Sequence, residues 1–210
     1  MEKVDDMNEI DELTKGALQE AGNVGMGHLA TALSKMVNRE VKINIPSVEM
    51  PDMEQIIEQA TQGKQKSVVG MHMDLNGDVS GGALLLLPKY SALAFSDLLM
   101  KKPIGTTARI EDAHTMKLRE MGVRLCSAYI KVVNEFLGVN LKPGEPDIVV
   151  NMEGIDDFIA DRVGTMGNEF IMVKSECLIP STNSKHEFNM LFEPTASEVI
   201  MAAVMKKMMG

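Results

Sequence analysis

Apolar residues recur at intervals of three and four between about Glu9 and Asn38, which predicts a long helix. The positions that carry this pattern are Ile10, Leu13, Ala17, Ala21, Val24, Leu29, Leu33, Met36 and Val37. The same stretch also contains four glycines: Gly16, Gly22, Gly25 and Gly27. Because each glycine costs a helix about 1 kcal/mol relative to alanine, they need a reason. Either the helix breaks here, or a neighbour approaches its backbone too closely to admit a side chain.

Shorter patterns follow this helix. A strand is predicted at Val41–Ile45 and ended by Pro46, and a short helix at Asp52–Ala60. Two further strands, Lys66–Asp74 and Asp78–Leu87, flank an Asn-Gly pair that favours a tight hairpin turn. Pro88 is then expected to open a helix over Lys89–Met100, since proline suits the first helical turn.

The second half of the chain repeats this order. Its predicted elements are a helix over Ile110–Phe136, a strand over Pro146–Met152, a helical segment over Gly154–Arg162, strands over Asn168–Leu178 and Lys185–Phe192, and a helix from Pro194 to about Met208. A shift of 100 residues aligns Glu20 with Glu120 and Pro46 with Pro146. We therefore expect one α/β domain over residues 1–210, with repeats at about 10–100 and 110–208 related by a pseudo-two-fold axis and a β-sheet flanked by long helices.

Charge and composition narrow the class of protein. Lys and Arg number 21 against 30 Asp and Glu, a net charge of −9 that disfavours a nucleic-acid partner. The longest apolar run is far shorter than the roughly 20 residues of a spanning helix, so no membrane insertion is expected. The acidic N-terminus does not resemble a signal peptide, and two cysteines fit a reducing cytoplasm.

Several kinds of site are disfavoured by the sequence. The glycines at 22, 25 and 27 lack the preceding strand and the Gly-Lys-Ser/Thr of nucleotide-binding loops. The four histidines have no zinc-ligand spacing, and no Cys-x-x-Cys occurs, so no metal is expected on this chain. Cys126 has no evident base and is expected to face the interior, while His28 is best interpreted as a surface histidine.

Glu20 and Asn23 are the candidates that remain. Three residues apart, they share one face of the predicted helix. A carboxylate can pair with a cation on a partner, and an amide can donate to and accept from a water molecule, which fixes the direction of the water. Glu-x-x-Asn alone is more typical of a solvated helix face. However, Pro46 follows Asn23 after 22 residues, and the second repeat keeps Glu120 and Pro146.

With this spacing the segment LQEAGNVGMGHLATALSKMVNREVKINIPSV, residues 18–48, resembles the CheC/CheX/FliY family. The pattern of that family is Asp/Ser, three residues, Glu, two residues, Asn, 22 residues and Pro. Residues 68–88 also resemble it. Gly16 departs from the pattern at the Asp/Ser position. In the second half Met116 and Val123 stand at the Asp/Ser and Asn positions.

The resemblance implies a CheC-like fold and a chemotaxis phosphatase that hydrolyses the aspartyl phosphate of the response regulator CheY. Asn23 would orient the attacking water, and Glu20 would dock to a lysine of the receiver. Mg²⁺ would be supplied by the receiver, with no cofactor bound by this chain, and CheD is a further expected partner. Gly22, Gly25 and Gly27 would let the partner approach, although helix packing within the chain explains these glycines equally well. The second site, with Glu120 and Val123, would be inactive or serve only for docking.

Two other functions stay open. A non-catalytic adaptor would bind CheY, CheD or a motor-switch protein without hydrolysis, and both Gly16 and Val123 favour this alternative. A small-ligand sensor is a third class, which rests only on an α/β domain with 19 methionines.

Overall fold

The long N-terminal helix is unbroken. The computed structural model describes residues 10–61, 67–150 and 154–209, and α1 runs from Glu12 to Val37 through all four glycines. At its start the Asp11 carboxylate accepts a hydrogen bond of 2.8 Å from the backbone N–H of Thr14. At its end Asn38 adopts the left-handed conformation, with φ 52°. Burial of one side of α1 offsets the cost of the glycines, since tertiary packing provides most helix stability in proteins.

The elements occur twice in the same order. Those of the first half are α1, β1 (Lys42–Ile43), β2 (Ser47–Glu49), α2 (Met53–Thr61), β3 (Ser67–Gly77), β4 (Gly81–Pro88) and α3 (Lys89–Leu99). Those of the second half are α4 (Asp112–Leu137), β5 (Leu141–Pro143), β6 (Asp147–Val150), α5 (Ile155–Val163), β7 (Ile171–Ile179), β8 (Ser184–Phe192) and α6 (Ala196–Met209). Both long helices have 26 residues and begin 100 residues apart, as the proposed duplication requires.

The two halves share one eight-stranded antiparallel sheet. Its order is β1-β7-β8-β4-β3-β5, with β2 also paired to β7 and β6 also paired to β3. The short strands of each half therefore pair with the long hairpin of the other half. Lys42 lies opposite Leu178, for example, and Gly77 lies opposite Leu141. This exchange holds the segment around Pro46 against the C-terminal half of the chain.

Helices cover both faces of the sheet. The larger core lies between the sheet and α1, α3, α4 and α6, and its largest fully buried side chains include Tyr129, Phe95, Phe188 and Phe192. A smaller core lies under α2 and α5, around Ile56, Ile159 and Phe170. The predicted α/β fold, with a sheet flanked by long helices, is thus confirmed. Among the described residues no helix is both long and apolar enough to cross a membrane.

The connection between the halves is fixed by one buried carboxylate. Asp97, fully buried near the end of α3, accepts hydrogen bonds from the backbone N–H groups of Gly105, Thr106 and Thr107 at 2.7, 3.0 and 2.9 Å. The hydroxyl of Thr107 also donates to it at 2.6 Å. Four donors on one carboxylate keep the loop after α3 in place and set the entry to α4.

Several strand boundaries differ from the prediction, most clearly at the first hairpin and near Pro46. Asn76 and Gly77 belong to β3 rather than to the hairpin turn, because they pair with Lys142 and Leu141 of β5. The turn is at residues 78–80 instead. A side chain on Gly77, at φ 143°, would collide with a backbone carbonyl, so the glycine is required for this pairing. Of the strand predicted at Val41–Ile45 only Lys42–Ile43 is a strand, β1, and a second short strand that was not predicted, β2, follows Pro46.

Candidate active site

Glu20 and Asn23 are exposed on one face of α1. On the opposite side of this helix Leu18, Ala21 and Gly22 are buried against the sheet and α4. Within the ranges 10–61, 67–150 and 154–209, neither exposed side chain has a hydrogen bond or an ion pair. A carboxylate and an amide one helical turn apart therefore face outward on a rigid element, available to another molecule.

Pro46 lies directly behind this face. A Cβ added to Gly22 would be 3.2 Å from Pro46 Cβ and 2.8 Å from Val173 Cγ1, so the glycine lets the proline segment and β7 approach the helix backbone. The segment is anchored on both sides by pairing of β1 and β2 with β7. Fourteen helical residues after Asn23 rise about 21 Å, and the following extended chain is long enough to return by that distance. The 22 residues between Asn23 and Pro46 thus run to the end of α1 and then return to its middle.

The glycines at 22 and 25 serve packing inside the molecule. Gly25 is buried, and a Cβ there would lie 2.8 Å from Cε2 of the Tyr129 ring on α4. The structure thus favours packing within the chain for Gly22 and Gly25 over approach of a partner, because the close neighbours are side chains of the same chain. Gly16 and Gly27 have open space where a Cβ would be, so the partner-approach role of Gly27 stays a prediction.

The equivalent face of α4 differs in charge. Glu120 is exposed, but its carboxylate lies 3.0 Å from Lys117 Nζ and 2.8 Å from Arg124 Nη2. The hydrogen bond from Lys117 and the two positive charges hold the pKa of Glu120 below its ordinary value of 4.5. In α1 the positions equivalent to these cations are Ala17 and Val24. Glu20 can therefore accept an external cation, whereas Glu120 already has two internal partners.

The sequence contains a signal for this difference, since Lys117 and Arg124 occupy the i−3 and i+4 positions relative to Glu120. The α4 face also forms a groove of about 700 Å³. Glu120, Val123, Glu145, Pro146 and the 71 % exposed Met116 all line it. An apolar valine occupies the place of the amide, and it cannot orient water.

The other candidate residues fit structural roles. Cys126 is fully buried, and burial raises the pKa of its thiol to about 12, so it is no ready nucleophile. His28 is exposed on α1, five residues beyond Asn23. In the parts of the chain that the structure describes, no cluster of three or more His, Cys, Asp or Glu side chains is arranged to hold a metal ion.

Comparison with known proteins supports the resemblance stated from the sequence. Residues 15–50, which contain Glu20, Asn23 and Pro46, match the model of the CheC-like family. Over this segment the chain is similar to that family, so the resemblance to the CheC/CheX/FliY family is confirmed. The similarity is consistent with the outward-facing Glu–Asn pair and with the proline behind it, although the roles of these residues in this chain stay predictions.

Curated relatives and a solved structure show the same similarity. The CheY-P phosphatase CheC of Bacillus subtilis (strain 168) is 24 % identical over 149 residues, which are 70 % of this chain and 71 % of that protein. The flagellar motor switch phosphatase FliY of the same organism is 26 % identical over 98 residues, 47 % of this chain and 25 % of that protein. The crystal structure of Thermotoga maritima FliY matches with a TM-score of 0.73 at 20 % identity, and covers 94 % of this chain and 98 % of that chain. The CheC-like fold expected from the sequence is thus confirmed.

Proposed function

We propose that this CheC-like chemotaxis protein hydrolyses the aspartyl phosphate of a CheY-type response regulator through the Glu20–Asn23 face of α1. The observation that carries the proposal is the exposed carboxylate and amide on one face, without partners among the described residues. The relationship to the CheY-P phosphatase CheC supports it independently. We place the reaction in the cytoplasm, where CheY-type receivers are phosphorylated.

The reaction requires few groups from the phosphatase. An aspartyl phosphate is a reactive acyl phosphate, and its hydrolysis needs an in-line water and neutralisation of charge on the transferring group. In this proposal the receiver contributes Mg²⁺ and a lysine. Glu20 pairs with that lysine and docks the helix, and Asn23 enters the receiver's site and orients the water. No bond forms between the phosphoryl group and this chain.

The contrast between the two long helices supports a single working face. Val123 has no group that can hold a water, and Glu120 is neutralised by Lys117 and Arg124. The same contrast favours the alternative of an adaptor for the α4 face, because its groove is partly apolar and exposed. Binding of CheD is a further prediction, which no described residue specifies.

Turnover separates the phosphatase from an adaptor. A purified CheY-type receiver is phosphorylated with a small-molecule donor, and phosphate release is followed with the chain at one tenth or less of the receiver concentration. A phosphatase accelerates release through many turnovers per chain. An adaptor that only binds leaves the rate unchanged, or slows it in proportion to the receiver it occupies. Either of the last two results would refute the proposed activity.

A further inference from the structure

One exposed apolar side chain accompanies the Glu20–Asn23 face. Ile45 is 79 % exposed, the largest exposure of any isoleucine, leucine or valine among the described large apolar residues. It immediately precedes Pro46, which lies against α1 at Gly22, next to Asn23. Its backbone is held on both sides, since Lys42 and Ile43 pair with β7 before it and Ser47 pairs with β7 after it.

The second repeat shows where a side chain at this position lies. Glu145, the equivalent of Ile45, lines the same groove as Glu120, Val123 and Pro146. Because the equivalents of those three residues are Glu20, Asn23 and Pro46, the shared element order places Ile45 at the edge of the first face. The two faces thus differ at two equivalent places: α1 has Asn23 in its centre and Ile45 at its edge, whereas α4 has Val123 and Glu145 there.

We propose that Ile45 is a docking residue of the phosphatase face, which inserts its side chain against an apolar patch beside the receiver's phosphorylated aspartate. The proposal rests on the function proposed above. An apolar side chain on a fixed strand loop loses little conformational entropy when covered, which favours its use as an anchor. At the edge of the face that carries Glu20 and Asn23, it adds contact area that the two polar groups do not supply.

Steady-state kinetics and binding test the inference together. Ile45→Ala removes about three buried carbons and is expected to raise KM for the phosphorylated receiver about tenfold. The contact is the same in the ground state and the transition state, so kcat stays unchanged. Ile45→Glu, which introduces the residue of the second repeat, should raise KM further. Ile104→Ala is the matched control, because Ile104 is exposed by 40 % in the loop after α3 and should change neither constant.

A titration with a receiver carrying the beryllofluoride mimic of its phosphate separates this inference from the phosphatase proposal. Weaker binding by Ile45→Ala supports the docking role, even if the unaltered chain shows no turnover and the phosphatase proposal fails. Unchanged binding and KM, together with loss of turnover in Asn23→Ala, would overturn the docking role and leave the phosphatase proposal intact. No binding by the unaltered chain would overturn both. Unchanged denaturation midpoints verify that each variant is folded.

Discussion

Alanine substitutions at the glycines of α1 should have opposite effects on stability, depending on which side of the helix they face. Gly16→Ala places a methyl group in open space, so it should stabilise the protein by about 1 kcal/mol through helix propensity. Gly25→Ala gains the same propensity but places its Cβ 2.8 Å from the buried Tyr129 ring. Ordinary carbon contacts are at about 3.5–4.0 Å, so the ring or the helix must shift.

The packing around Gly25 sets the size of the destabilising contribution. Overpacking a well-filled core by one methyl group costs about 1–3 kcal/mol. Gly25→Ala is therefore expected to be neutral to destabilising by about 2 kcal/mol after the propensity gain of about 1 kcal/mol. Because the chemical change and the helix are the same, the difference between the two variants isolates the contact with α4.

Chemical denaturation of both variants measures this difference, with Gly27→Ala as a second open-space control. In a Tyr129→Leu background the ring is gone, so Gly25→Ala should become stabilising like Gly16→Ala. The duplication makes leucine a reasonable replacement, since Leu29 is the equivalent of Tyr129. Equal stabilisation by Gly16→Ala and Gly25→Ala in the unaltered background would refute the close approach of α1 to α4.

Two further predictions concern charged groups. Val123→Asn alone should add no phosphatase activity, because Glu120 stays paired. Adding Lys117→Ala and Arg124→Val to it should raise turnover up to about twofold, the value for two independent faces. A gain from Val123→Asn alone in phosphate-release assays would contradict this. Burial by itself raises the pKa of Asp97, but its four hydrogen bonds outweigh burial and lower the pKa below the ordinary 3.8. A depressed folded-state pKa gives stability that is present above the unfolded value and lost as pH falls through the folded value. Asp97→Asn should therefore lower the free energy of unfolding by about 1.5–3 kcal/mol at pH 7. Below about pH 4 the variant should lose less further stability than the unaltered protein. Urea titrations at both pH values measure this, and a parallel acid dependence of the two proteins would argue against the carboxylate's role.

The order of the helices and of the longer strands could be predicted from the sequence, since long periodic segments are its strongest local signal, but the short strands β2 and β5 could not. The Glu20–Asn23 pair could also be predicted, because residues three apart on a helix share a face wherever the helix is placed. The pairing partners of the strands could not. Asn76-Gly77 is a turn signal locally, but β5 from the other repeat pairs with it and extends β3 through it.

The role of the glycines in α1 could not be settled from the sequence alone either. The helix pattern gave their positions, but only the crossing of α1 and α4 shows that Gly25 faces Tyr129, a residue 104 positions away. No local sequence pattern indicates that Ile45 belongs to the site. Its relation to the site comes from the return of the chain behind α1, which is fixed by pairing with β7 in the second half.

The central claim is that the amide of Asn23 performs the chemistry, and a comparison of Asn23→Ala with Val123→Ala tests it most directly. The two changes truncate equivalent exposed positions of the two 26-residue helices. The account predicts that Asn23→Ala lowers receiver dephosphorylation about 10²-fold or more, with stability and receiver binding retained, while Val123→Ala leaves the rate unchanged. Equal rates for Asn23→Ala and the unaltered chain would contradict it.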